Sequence, residues 1–229
     1  MIFPIGDQNV EGGYRPYVAY SLLVINVLVW LYQSVLDLPE YEQLIHQFGM
    51  IPAEILEGKG WYTLITSMFL HGDFLHLLGN MLFLWIFADN IEAVAGHGRF
   101  LMYYLLGGLT AGLIHVAFNL YSPIPTIGAS GAISAVLGSY LVFFPRSQVR
   151  VIVLFLFSSF YVPAVLFLGI WILMQLYSGV GSLNAAGVME SGVAWWAHIG
   201  GFFFGVLYGL RYKRKFVSGF IDPDDASTV

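Results

Sequence analysis

The chain has 229 residues, of which 58% are hydrophobic, 17% aromatic and 10% charged, with a formal net charge of -5 and no cysteine. So little charge on so apolar a chain excludes an ordinary soluble domain and places it in a bilayer. Lack of cysteine excludes disulfides, thiol catalysis and thiolate metal sites, and nine thinly spread Lys and Arg residues exclude a nucleic-acid surface.

Residues 1–16 form an N-terminal segment, and Tyr17 to Leu36 is the first apolar run able to cross the hydrocarbon core. It follows Arg15 and lacks a small-residue cleavage site, which predicts a retained helix rather than a signal peptide. A long external loop, Asp37 to Asp73, then carries Pro39, Pro52 and several carboxylates. Its mixed polarity predicts a partly embedded structure, with Trp61 to Leu70 as an interfacial or re-entrant piece. Further apolar runs cover Phe74 to Ala88, Phe100 to Tyr121, Ile127 to Phe144, Val151 to Tyr177 and Val193 to Leu210, which makes six transmembrane helices.

The connection Ser178 to Gly192 holds Gly179, Gly181, Gly187 and Gly192 and reads as a mobile flap. One membrane domain, 17–212, is expected, followed by a basic then acidic tail, 213–229, disordered after Phe216. Threading six spans puts Arg15, Arg99, Arg146, Arg150, Arg211, Lys213, Arg214 and Lys215 on one face, with Lys59 opposite. Positive residues mark the cytoplasmic side, so both termini are predicted there, and the Arg211 to Lys215 cluster faces anionic lipid. A compact chain without a targeting extension points to a prokaryotic inner membrane.

Ala197, Gly201, Gly205 and Gly209 recur every four residues in the sixth run, and Ser130, Ser134 and Gly138 do so in the fourth. Such stripes let two backbones approach closely, which would bring Ser130 beside His198. At about 1.5 Å per residue, Ser130 lies about 5 Å, His198 about 8 Å, His76 about 3 Å and Asn80 about 9 Å below the external edge. Polar groups in hydrocarbon are costly, and four of them converging at one depth point to chemistry.

A neutral imidazole can take the serine proton as the hydroxyl attacks a carbonyl, so Ser130 is the expected nucleophile and His198 the general base. Between Ala93 and Met189 there is no Asp or Glu, and Glu92 lies about 18 Å deeper than Asn80. A dyad is therefore expected, its imidazole held by packing and backbone contacts. His76 and Asn80, at i and i+4, share a helix face and with the Ser130 amide form the expected oxyanion hole, with His71 as possible support. Gly128-Ala129-Ser130-Gly131 is not a soluble-hydrolase elbow, because Ala132 replaces the second motif glycine. The spacing of His71 and His76 does not match a zinc helix, so neither a metal nor another cofactor is expected.

His71-Gly-Asp-Phe-Leu-His76-Leu-Leu-Gly-Asn80, Gly128-Ala129-Ser130-Gly131 and Ala197-His198-Ile199-Gly200-Gly201, taken together, resemble the rhomboid family of intramembrane serine proteases. The likeness covers about Tyr17 to Tyr212, an all-α, six-helix rhomboid-like bundle. It implies the same roles for Ser130, His198, His76 and Asn80, and places Gly128 at the family's glycine before the motif alanine. It also implies cleavage of membrane-anchored substrates near the external face, often beside small residues, with the fifth helix and its following loop as gate and cap. Two positions depart from the family pattern. Trp61-Tyr62 stands where members often carry Trp-Arg, and Ser134 stands where some stack a tyrosine under the catalytic histidine.

The reading is thus a serine endopeptidase acting on single-span transmembrane proteins, with lipid as its surroundings. A non-proteolytic rhomboid-like protein that binds membrane helices is the alternative, opposed by the intact Ser and His. A transporter would need midplane carboxylates or paired broken helices, and neither is seen.

Overall fold

A computed structural model describes residues 2–8, 14–153, 158–184 and 193–217. Helix α1 spans Tyr17–Ser34. Its first amides find a partner far away in sequence: the Glu92 carboxylate accepts from Val18 N at 3.0 Å and Ala19 N at 2.7 Å. That satisfies donors which no carbonyl inside the helix can reach.

The segment before the second long helix folds into short pieces, α2 (Leu38–Phe48), α3 (Pro52–Leu56), α4 (Thr63–Thr66) and a 3-10 turn, Ser67–Phe69. Asp37 and Glu40 close a capping box at the start of α2, each side chain accepting from the other's backbone N–H. The end of this segment is pinned by Gln33 of α1, whose amide donates to the His71 carbonyl and accepts from the His71 N–H, both at 3.1 Å.

Helices α5 (Phe74–Ala95) and α6 (His97–Phe118) follow, joined at Gly96, whose φ of 82° favours glycine. Then come α7 (Ser130–Phe143), α8 (Ala164–Asn184) and α9 (Trp195–Val217). Four of these helices, α1, α5, α6 and α8, are long and apolar enough to cross a membrane. With 14 residues α7 is shorter, and Gly131 through Tyr140 are all buried, enclosed by α5, α6, α8 and α9.

The run Val151 to Tyr177 is not one helix, as the sequence reading expected. Its first part is a hairpin of β2 (Gln148–Val153) and β3 (Ser158–Pro163), and β1 (Ile2–Gly6) pairs with the other edge of β2. All three strands are antiparallel, with Val149 opposite Val162, Val151 opposite Phe160 and Ile2 opposite Val153. Val-Arg-Val-Ile-Val alternates with period two, burying Val149, Val151 and Val153, and β-branched residues suit a pleated half-buried surface. The helix begins only after Pro163 and therefore ends later, at Asn184. Ser178 to Asn184 are thus helical rather than part of a flap, and the remainder of the expected flap, 185–192, lies outside the described residues. Helix α9 likewise continues to Val217, and the tail after it lies outside the described residues.

The two small-residue stripes meet. A Cβ on Gly201 would strike the Gly131 carbonyl, one on Gly205 the Ala135 carbonyl, and one on Gly209 would lie 2.8 Å from Val142 Cβ. Helices α7 and α9 therefore touch backbone to backbone over more than two turns. Ser139 Oγ fastens them by donating to the Gly205 carbonyl at 2.9 Å, an interhelical bond of the kind that small residues permit.

Candidate active site

Close contact of α7 and α9 has a local result at their outer ends. Ser130 is the first residue of α7 and His198 stands in the first turn of α9, and His198 Nε2 lies 2.8 Å from Ser130 Oγ. Both side chains are partly buried. As the first residue of α7, Ser130 has a backbone N–H without a carbonyl four residues earlier inside the helix. Ser134, one turn on, does not reach the imidazole; its hydroxyl donates to the Ser130 carbonyl at 2.6 Å. Aromatic rings instead flank His198 from two other positions, Trp171 on α8 at 6.0 Å and Trp195 on α9 at 6.3 Å between centroids.

On its second nitrogen His198 has a partner that the sequence reading missed. Gln175 on α8 places Oε1 2.8 Å from His198 Nδ1. The expectation that packing and backbone alone would hold the imidazole is corrected by this side-chain contact. The sequence did carry a signal: Gln175 is a buried amide in the middle of an otherwise apolar helical stretch.

His76 and Asn80 lie on α5 and face the turn before α7. A Cβ on Gly128 would sit 2.8 Å from His76 Nε2 and 3.7 Å from Asn80 Nδ2. With φ at 126°, Gly128 is also in backbone space that side chains rarely adopt, so conformation and close approach both demand glycine. His76 Nδ1 accepts from the Gly72 N–H at 3.4 Å, which leaves the proton of the neutral ring on Nε2, facing Gly128. Asn80 Nδ2 is buried with no hydrogen-bond partner among the described residues, a donor with unused capacity.

His71 is fully buried, and its ring packs edge-on against His76 at 5.1 Å, so it backs His76 rather than reaching Ser130. Burial, with His76 beside it, pushes the His71 imidazole down to about 4, which keeps it neutral at physiological pH. Tyr62 donates its hydroxyl to the Gln47 carbonyl at 2.8 Å, tying α2 to the segment around α4. A small cleft opens beside Ser130, lined by Ser67, Gly108, Ala111, Gly128 and Ala197 together with the larger Met50, Leu64 and Met68. Among the described residues no cluster of three His, Asp or Glu side chains is placed to hold a metal.

A nucleophile with a base in hydrogen-bond reach, beside buried donors and a small cleft, is an arrangement suited to acyl transfer. A rhomboid domain model matches residues 58–215, more than half of the sequence and every residue of this site. The chain belongs to the rhomboid family. It is 30% identical to "Rhomboid protein 1, mitochondrial" of Saccharomyces cerevisiae over 86% of this chain and 54% of that protein. To "Rhomboid protease GluP" of Bacillus subtilis it is 31% identical over 56% of this chain and 24% of that protein. To the human "Presenilin-associated rhomboid-like protein, mitochondrial" it is 26% identical over 92% of this chain and 51% of that protein. This rhomboid therefore spans about half the length of the yeast and human relatives, and its spanning helices make it a multi-pass membrane protein. The prokaryotic inner membrane expected from the sequence gains no support from these relatives, because two of them are mitochondrial.

Proposed function

We propose that this rhomboid is an intramembrane serine endopeptidase that cleaves single-span transmembrane proteins near the external membrane face with Ser130 and His198. The 2.8 Å approach of His198 Nε2 to Ser130 Oγ carries the reading. In it, α1, α5, α6, α7, α8 and α9 are six spans with both termini cytoplasmic, and α7 is the short central one.

Ser130 Oγ attacks the substrate carbonyl carbon while its proton passes to His198 Nε2, and the new oxyanion accepts from the Ser130 amide, His76 Nε2–H and Asn80 Nδ2. Collapse of the tetrahedral species breaks the C–N bond, with the proton on Nε2 going to the leaving amine. Water then gives a proton to Nε2 as its oxygen attacks the acyl carbon, and the serine oxygen leaves and takes that proton back, releasing the acid. The cleft beside Ser130 has little free space between Gly108, Ala111 and Ala197 on one side and Met50, Leu64 and Met68 on the other, which suits a small substrate side chain next to the cut bond. No cofactor takes part. Around the bundle, lipid is the solvent, and the basic end of α9 faces anionic headgroups.

The test is cleavage of a labelled single-span substrate by purified wild type, Ser130→Ala and His198→Ala in liposomes. Both variants are expected to lose cleavage, and Ser130 to be labelled by a fluorophosphonate probe. Cleavage that persists in Ser130→Ala rejects the serine mechanism. Binding without cleavage by wild type would favour the helix-binding alternative.

A further inference from the structure

In enzymes that pair serine with histidine, something must decide which imidazole nitrogen carries the proton, because only a ring with its lone pair toward the hydroxyl can act as base. The geometry points to Gln175 as the positioning residue that makes this choice, holding His198 in its reactive tautomer from a different helix. This rests on the endopeptidase reading above and extends it to how the base is prepared.

The direction of the Gln175 amide is fixed by its own helix. Gln175 Nε2 donates to the Trp171 carbonyl, one turn earlier, at 3.4 Å, which turns Oε1 toward His198 Nδ1 at 2.8 Å. An amide oxygen only accepts, so Nδ1 must carry the hydrogen. The neutral ring then has its lone pair on Nε2, 2.8 Å from Ser130 Oγ, and the serine hydroxyl donates to it. With the amide reversed, its NH2 would face Nδ1 and drive the proton to Nε2, leaving Ser130 without a base. The Trp171 carbonyl opposes that reversal, since it needs a donor.

A neutral amide also suits the place. A carboxylate here would carry its charge among apolar helices beside a resting imidazole that is neutral, which is costly, whereas an amide supplies the same acceptor without a charge. Gln175 is itself buried. Trp171 adds a second restraint from α8, its ring 6.0 Å from both His198 and Phe202.

The restraint depends on where α8 sits. Fewer than a third of the residues in the spanning part of α8 are buried against the protein, where half are in α5 and α6. A shift of α8 by about 1 Å takes the Gln175 contact beyond hydrogen-bond range, so the base is prepared only when α8 is seated.

The experiment uses the full chain in liposomes with a labelled single-span substrate, comparing wild type, Gln175→Leu and Gln175→Glu across the pH range. Gln175→Leu is expected to lower kcat by about 10²-fold with KM little changed, because the ring loses its orienting acceptor. Gln175→Glu keeps an acceptor and should recover kcat at high pH. Its carboxylate stabilises the imidazolium, so the neutral base appears later and the acid limb of kcat moves up by about one pH unit. A role in packing alone would move no limb.

Nitrogen NMR of labelled histidine supplies an activity-independent readout: wild type should show the Nδ1–H tautomer of His198, and Gln175→Leu a mixture. A Gln175→Leu enzyme with wild-type kcat and pH profile, or a Gln175→Glu profile that coincides with wild type, overturns the inference. If Gln175→Leu fails to fold, the near-isosteric Gln175→Glu profile decides. If wild type cleaves nothing, or Ser130→Ala still cleaves, the endopeptidase reading fails. The tautomer measurement then decides the inference by itself, an unchanged tautomer in Gln175→Leu counting against it.

Discussion

Replacing Gly201 with alanine puts the joint between α7 and α9 to a quantitative test. A methyl group there would meet the Gly131 carbonyl oxygen well inside van der Waals contact and Ser134 Cβ at 3.3 Å. The first obstacle is backbone, so no rotamer change removes it. Restoring ordinary contact takes a separation of about 1 Å between the helices. Gly131 follows Ser130 directly, and Gly201 lies one turn from His198, so the same separation stretches the 2.8 Å Ser130 to His198 contact past hydrogen-bond range. Misplacement of that size costs about 10²-fold in rate, and overpacking costs about 1–3 kcal/mol of stability. The assay is cleavage of a labelled single-span substrate alongside a thermal melt, with Gly98→Ala, where a Cβ meets nothing within 4 Å, as the matched control. Wild-type cleavage by a folded Gly201→Ala protein would refute the argument that backbone contact sets the Ser–His distance.

Asn80→Leu should lower kcat by about 10²-fold while leaving KM and the melting temperature near wild type, because Nδ2 has no hydrogen-bond partner among the described residues and acts on the oxyanion. A lower melting temperature at unchanged kcat would make it a structural residue instead. At the other end of the bundle, burial, opposed by the Tyr140 and Asn90 hydrogen bonds and reinforced by the charge of Asp89, raises the Asp7 carboxyl from 3.8 to about 7. A folded-state pKa above the unfolded one means that protonation stabilises the fold: this contribution is complete below pH 3.8 and fades as pH rises through about 7. Protection of the β1 amides, corrected for the intrinsic rise of exchange with pH, should therefore fall as pH rises from about 4 to about 7 and level off above it in wild type, and stay flat in Asp7→Asn.

How much of this was legible in the sequence varied by element. The α7 and α9 stripes could be read because small residues at four-residue spacing have one physical use in a bilayer, and the meeting of Ser130 with His198 follows from it. Gly128 was readable by its motif, but its cause, His76 pressing on the place of a Cβ, needed coordinates. The hairpin hid inside an apolar run because hydropathy averages do not separate period two from period 3.6. The telling pattern, Val149, Val151 and Val153 around Arg150, covers few residues, and β1 pairs with it from the far end of the chain. Gln175 was missed for another reason. One amide on an apolar helix gives no partner by spacing, and its bond to His198 spans 23 residues and two helices.

The contact between α7 and α9 has a wider meaning for an enzyme that works in a fluid of variable thickness. Side chains that wedge two helices apart have rotamers, and bilayer stress or temperature can repopulate them. At Gly201 and Gly205 the nearest neighbour is a carbonyl oxygen of the facing helix, which has no rotamers to repopulate. Lipid composition should therefore alter how readily a substrate arrives and how often α8 is seated, while the distance between Ser130 and His198 stays nearly constant from one membrane to another.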